Sequence, residues 1–175
     1  MSAVKTDRIF KLAIAACLAV LVWAVYDTFR EKIVTVGQTA PEFAVTTDTG
    51  RTITRSNFGG KLLVLNFWAT WCPPCVEEIP SLNDLQQKLA GEGVVVLGVS
   101  VDRSKQVYDR FLERARVGFL TARDPEAGIS SQYGTFKYPE TYIIDSRGKV
   151  VEKIIGGANW TDPAMLSRVR SLLAS

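Results

Sequence analysis

Histidine is absent from all 175 residues, and cysteine occurs only as Cys17, Cys72 and Cys75. A closed zinc site needs four ligands, so a Cys/His site here would have to recruit carboxylates or a second chain. Haem attachment has no support either, because Val76 rather than histidine follows Cys75. Charge of one sign is also missing. The formal charge is +3, and without residues 1–26, which hold three basic residues and one acid, 18 basic residues face 17 acidic ones. A nearly neutral remainder gives no electrostatic case for nucleic acid. Repeats and low-complexity tracts are lacking, and the length suits one domain of ordinary size plus an N-terminal appendage.

The longest hydrophobic run is Leu12 to Val25, 14 residues, extending to Ile9–Tyr26 if Lys11 snorkels. As a helix those 18 residues rise about 27 Å, enough to cross a bilayer core. Lys5, Arg8 and Lys11 precede the run and Arg30 and Lys32 follow it, which leans towards a cytoplasmic N-terminus. The reading is residues 1–8 cytoplasmic, 9–26 a transmembrane signal-anchor, 27–36 a tether and 37–175 the folded domain. Cleavage after Val22-Trp23-Ala24 and lipidation at Cys17 within Ile14-Ala15-Ala16-Cys17 are the alternatives, and all three export the domain. Inside an apolar span Cys17 is an inert thiol.

The pair Cys72-Pro73-Pro74-Cys75 follows Trp71 and the apolar run Leu62–Trp68. A buried strand thus runs into two cysteines at the start of a helix, where free backbone N–H groups and the helix dipole favour a thiolate at Cys72. Cys75 lies on the same helical face, so the sulfurs can close a small ring. That is the equipment for thiol–disulfide exchange, with Cys72 as exposed nucleophile and Cys75 as resolving thiol. So small a ring adds little stability as a purely structural cross-link. Pro73 and Pro74 carry no N–H, leaving the Cys75 N–H and the dipole to hold the thiolate, which predicts a reducing couple.

Around this pair the pattern predicts an N-terminal hairpin of Phe43–Val45 and Arg51–Thr54, with strands at Leu62–Trp68 and Val94–Val101 and a short segment around Phe119–Ala122. A helix from Cys72 carries the stripe Ile79, Leu82, Leu85 and Leu89, with a kink at Pro80. Ser104 caps a helix whose apolar face is Val107, Phe111, Leu112 and Ala115. A short helix near Ala127–Tyr133 precedes a hairpin of Thr141–Asp145 and Val150–Ile155. Asp162-Pro163 then opens a terminal helix on Leu166, Val169 and Leu173. This is an α/β order: a mixed central sheet flanked by helices.

Trp68-Ala69-Thr70-Trp71-Cys72-Pro73-Pro74-Cys75 resembles the active site of the thioredoxin superfamily, and Tyr138-Pro139-Glu140-Thr141 resembles its cis-proline loop and following strand. The Pro-Glu-Thr form, with Gly37–Phe43 as a domain start, is similar to the membrane-anchored TlpA/ResA/CcmG (DsbE)-type branch. The resemblance implies a thioredoxin-like fold with an N-terminal β-hairpin extension, and a cis Pro139. Asn66 replaces the buried aspartate of ordinary thioredoxin and cannot take a proton. Glu78 stands where the branch carries an acid near the cysteines, and is expected to take the Cys75 proton. Trp71, Pro73, Pro74, Tyr138 and Pro139 are expected to meet substrate, with Trp68, Trp71, Phe136 and Tyr138 as an aromatic collar. Trp160 carries no expectation.

The function implied is that of an extracytoplasmic thiol-disulfide oxidoreductase at the bacterial inner membrane. It would reduce disulfides of exported proteins, apocytochrome c first among them, and be recharged by a membrane electron donor. No cofactor or metal is expected beyond the Cys72–Cys75 disulfide, and no nucleic-acid partner. The rival functions are a thiol oxidase or isomerase using the same cysteines, and a copper-handling chaperone, which would normally supply a histidine. A peroxiredoxin would need proline at Leu65 and threonine at Ala69.

Overall fold

The computed structural model describes residues 2–29 and 33–174, with side chains described for 11–25 and 33–174. The chain divides into two units, the second beginning at Ile33, ahead of the expected Gly37. The first unit contains helix α1 (Ser2–Phe29). Among the described residues no helix is long and apolar enough to cross a membrane. The expected span includes Ile9, Phe10 and Tyr26, whose side chains lie outside the described residues. Cys17 is a free, exposed thiol within α1.

The second unit is built on a five-stranded sheet in the order β5-β4-β3-β6-β7. Strand β3 (Leu62–Trp68), buried along its whole length, lies at the centre. It pairs in parallel with β4 (Val94–Ser100) and antiparallel with β6 (Glu140–Asp145). The edges are β5 (Leu120–Arg123), parallel to β4, and β7 (Val150–Ile155), antiparallel to β6. The expected hairpin forms a separate two-stranded sheet, β1 (Ala44–Thr46) on β2 (Thr52–Thr54). This is the thioredoxin-like α/β arrangement with its N-terminal hairpin extension.

Because side chains alternate along a strand, the central sheet has two differently furnished faces. Leu62, Val64, Trp68 and Ile143 face α2 (Pro73–Leu89), α3 (Lys105–Ala115) and α5 (Pro163–Leu173). Leu63, Leu65, Phe67 and Tyr142 face the hairpin, Phe43 and Tyr133, just past α4 (Gly128–Gln132). On α2, Ile79, Leu82, Leu85 and Leu89 are buried as the stripe predicts, and the helix runs on past Pro80 without a break.

Both predicted caps are present: Ser104 accepts from the Val107 N–H, and Asp162 from the Ala164 N–H. The α3 face differs from its prediction. Tyr108 is its buried residue while Val107 is exposed. The helix is turned because the Tyr108 hydroxyl reaches Asp48 at 2.5 Å and its ring packs 6.0 Å from that of Trp68.

Candidate active site

Strand β3 delivers the chain to the cysteines, and the turn after it is held from the neighbouring strand. The Val101 N–H donates to the Trp68 carbonyl at 3.0 Å. Asp102, buried just beyond β4, accepts from the Thr70 N–H at 2.9 Å and from the Thr70 hydroxyl at 2.7 Å. The Ser100 hydroxyl completes that carboxylate's partners at 2.6 Å. Thr70 is thereby fixed two residues before Cys72.

Cys72 is the N-cap of α2, with Pro73 and Pro74 filling its first two positions. The first turn therefore presents backbone N–H groups only from Cys75 onwards. Cys72 and Cys75 are joined by a disulfide, S–S 2.14 Å, with their Cα atoms 5.3 Å apart. The expectation of an exposed Cys72 needs correcting for this oxidised form: Cys72 is 5% exposed and Cys75 1%. Both cysteines pack in the core cluster, with Cys72 the nearer to solvent.

One turn along α2 lies Glu78, 4% exposed, whereas Glu77 points to solvent. Its Oε1 accepts from Asn66 Nδ2 at 2.8 Å, and Asn66 donates also to Thr141 Oγ1 at 2.9 Å. Its Oε2 accepts from the Ala158 N–H at 3.1 Å and from Trp160 Nε1 at 3.3 Å. Every partner is neutral. Burial pushes the Glu78 carboxyl above its ordinary value, and the hydrogen bonds from Ala158, Asn66 and Trp160 offset this only in part. A cavity of about 550 Å³ lined by Pro74, Glu78, Ser81 and Asn159 opens beside it.

On the other side of the disulfide, Tyr138–Pro139 is a cis peptide, as the resemblance implied. Tyr138 packs against the cluster that contains Cys72 and Cys75, and its ring meets Trp71 edge-on at 6.0 Å. Trp71, Phe136 and Ile155 are exposed. Trp71 and Tyr138 line a groove of about 570 Å³ running to Arg103, Val107 and Pro125. Gly156, at φ +90°, turns the chain under the loop so that its N–H reaches the Pro139 carbonyl at 2.8 Å. Gly157 lies against Pro74, where an added Cβ would come 3.2 Å from the Pro74 carbonyl oxygen.

Trp68 must be removed from the expected collar. It is 1% exposed and packs on Tyr108 and Phe111. The sequence held the signal: Leu62, Val64, Asn66 and Trp68 alternate onto one face of β3. Ile155 was overlooked, although its pairing with Glu140 places it beside Pro139. Asp102 and Trp160 also escaped, because each acts across a long sequence separation that no local pattern marks.

Residues 36–153 match the AhpC/TSA family. The chain is 37% identical over 142 residues to the thiol-disulfide oxidoreductase ResA of Geobacillus thermodenitrificans, covering 80% of this chain and 81% of that one. It is 34% identical to the thioredoxin-like protein YneN of Bacillus subtilis, over 77% of this chain and 81% of the relative. Among solved structures it is similar to one described as a thiol:disulfide interchange protein DsbE from Chlorobium tepidum. That likeness has a TM-score of 0.73 at 30% identity and covers 80% of this chain and 99% of the other.

Proposed function

This chain belongs to the AhpC/TSA family of thioredoxin-like proteins and is a thiol-disulfide oxidoreductase, and from that premise we propose that it reduces disulfides of exported polypeptides. The observation that carries the reading is the Cys72–Cys75 disulfide at the start of α2, beside the exposed Trp71 and the half-buried Tyr138.

In the reduced protein the Cys72 thiolate attacks one sulfur of a substrate disulfide, forming a mixed disulfide and releasing the first substrate thiol. Cys75 then loses its proton to the Glu78 carboxylate and attacks the Cys72 sulfur. The second substrate thiol leaves, and two electrons have passed to substrate while Cys72–Cys75 is oxidised. Glu78 suits the proton transfer because its raised pKa brings it nearer to that of a thiol than an ordinary carboxyl would be. Trp71, Pro73, Pro74, Tyr138 and Pro139 form the surface on which the substrate chain lies, with the Tyr138 backbone pairing to it.

The disulfide is the only redox group the reaction uses, so turnover requires an outside dithiol, supplied by a membrane electron donor. The apolar run in α1 and the basic residues before it support a membrane-anchored protein with its domain on the extracytoplasmic side. Apocytochrome c, a polypeptide that must keep its cysteines reduced for haem attachment, is the substrate class proposed.

The test is the reduction potential of Cys72–Cys75 in the full chain, equilibrated in thiol/disulfide buffers. A value near about −270 mV supports a reductase, and one near about −120 mV makes the protein a disulfide donor instead. A Cys75→Ser chain should hold its substrate as a stable mixed disulfide on Cys72, and mass spectrometry then reads whether the captured peptide carries Cys-x-x-Cys-His.

A further inference from the structure

Glu140 follows Pro139 directly, and its carboxylate is buried on the sheet face opposite Glu78. Unlike Glu78 it meets a cation: Lys153 Nζ on β7 lies 2.8 Å from Glu140 Oε1. The same ammonium donates to the Val34 carbonyl at 3.0 Å and stands 4.9 Å above the Tyr142 ring. The Tyr142 hydroxyl lies between Glu140 Oε1 at 3.2 Å and the Tyr133 carbonyl at 3.0 Å. Lys153 thus touches the residue after Pro139 and the first turn of chain to enter the folded unit.

Its aim depends on a bulge. Pairing along β6 and β7 runs Tyr142 to Lys153 and Ile143 to Glu152, then shifts so that Ile144 faces Val150. The extra residue, Val151, puts Val150 and Lys153 on the same face, where strict alternation would set them on opposite ones. Val150 packs with Tyr142 and Val34, while Val151 and Ile154 pack on the α2 side.

The entry segment that Lys153 grips is itself laid along β7 and its neighbours. The Val34 N–H donates to the Tyr133 carbonyl at 3.1 Å, Gly37 to Val150 at 2.8 Å and Ala40 to Gly148 at 2.9 Å, while Val150 donates back to Gln38 at 2.9 Å. A buried ion pair is a poor device for stability alone, because apolar residues of similar volume serve as well or better. What it supplies is a fixed geometry, and the geometry here joins two segments far apart in sequence.

We propose that Lys153 is a positioning residue for the polypeptide-binding loop, holding Tyr138–Pro139–Glu140 against the entry segment at Val34 so that the Tyr138 backbone meets a substrate strand in one place. This rests on the reading of Tyr138–Pro139 as a substrate surface. A substrate with no peptide backbone has nothing to pair with that loop, so the two kinds of disulfide depend on Lys153 to different degrees.

The experiment compares, in the full chain, kcat/KM for a disulfide-bonded peptide containing Cys-x-x-Cys-His and for 2-hydroxyethyl disulfide. For Lys153→Met the ratio of peptide to small-disulfide kcat/KM is expected to fall about tenfold, below the loss of about 10²-fold that a 1 Å misplacement can cause. The loss should appear mainly in KM for the peptide, with partial recovery in Lys153→Arg. The paired variant Glu140→Gln/Lys153→Met, which removes both charges together, should show the same fall, because the tie to Val34 is gone. A wild-type ratio in the paired variant, or equal losses on both substrates in Lys153→Met, would overturn the role of Lys153. A wild-type chain that reduces the small disulfide and leaves the peptide oxidised would instead overturn the functional reading beneath it.

Discussion

Glu78 and Glu140 are the same residue type, buried to within a percent of each other, on opposite faces of one sheet. Their surroundings are joined: Asn66, which donates to Glu78 on α2, also donates to Thr141, the residue after Glu140 on β6. Yet Glu78 is met by an amide, an indole and a backbone N–H, and Glu140 by an ammonium. Neutral donors satisfy a carboxylate's geometry and leave much of its desolvation uncompensated, so the proton binds more readily. An ammonium compensates the charge itself. Lys153 shows the other half of that exchange. Burial opposes its charge, but Glu140 and Tyr142 outweigh the opposition and raise its pKa. Burial is what raises the Glu78 carboxyl, and its neutral partners offset that rise only in part.

The largest effect should come from breaking the compensated side. Lys153→Met leaves Glu140 buried beside an apolar side chain and is expected to lower stability by about 3 kcal/mol, while the paired Glu140→Gln/Lys153→Met should return most of it. Urea unfolding of the wild type and the two variants checks both, and equal losses in the single and paired variants would dissolve the contrast between the two faces.

A smaller effect is expected on the uncompensated side, and it depends on pH. Because the folded-state pKa of Glu78 lies above the ordinary 4.5, the folded protein holds a proton that the unfolded chain has released in that window. The associated stability is full below the unfolded value and is lost as pH rises towards and through the folded one, at about 1.4 kcal/mol for each pH unit that separates the two. Glu78→Gln should remove that slope between pH 4.5 and the folded value, and should slow the resolving step on Cys75 by about 10²-fold. Unfolding curves across pH read the first, and stopped-flow decay of the mixed disulfide reads the second. An unaltered resolving rate would leave Glu78 a structural acid.

The smallest effect separates single donors. Trp160→Phe deletes the indole N–H that favours the charged form of Glu78, so the pH profile of resolution should move upwards. The 3.3 Å bond is the longest of the three on Glu78, and the movement should accordingly be modest. A downward movement would mean that removing bulk, and with it the desolvation, matters more than removing the donor.

What the sequence made legible was local. Six apolar residues within Leu62–Trp68, two prolines in the first turn of a helix, Ser104 before α3 and Asp162-Pro163 before α5 each act within a few residues, and each element stands where its signal lies. The cysteine pair and Glu78 were legible for the same reason, being three residues apart along one helical face. The supports of the site were not. Trp160 reaches Glu78 over 82 residues and Lys153 reaches Val34 over 119. Such pairings are set by strand order and by one bulge in β7, and a bulge has no signature in composition or periodicity. Tyr108 shows the same limit within a helix, since its burial follows from Asp48 on a distant turn rather than from the apolar stripe of α3.

The indole on Glu78 has an optical consequence. Of four tryptophans, Trp71 is exposed beside the disulfide, whereas Trp160 is fully buried with its Nε1 on Glu78, the carboxylate proposed to take the Cys75 proton. Emission from Trp71 should be quenched by the neighbouring disulfide and shifted to the red by water, while Trp160 should emit further to the blue and respond to the charge on Glu78. With Trp23 and Trp68, the other exposed and buried indoles, replaced by phenylalanine, two colours of intrinsic fluorescence would follow electron and proton separately, without a label, in a single turnover.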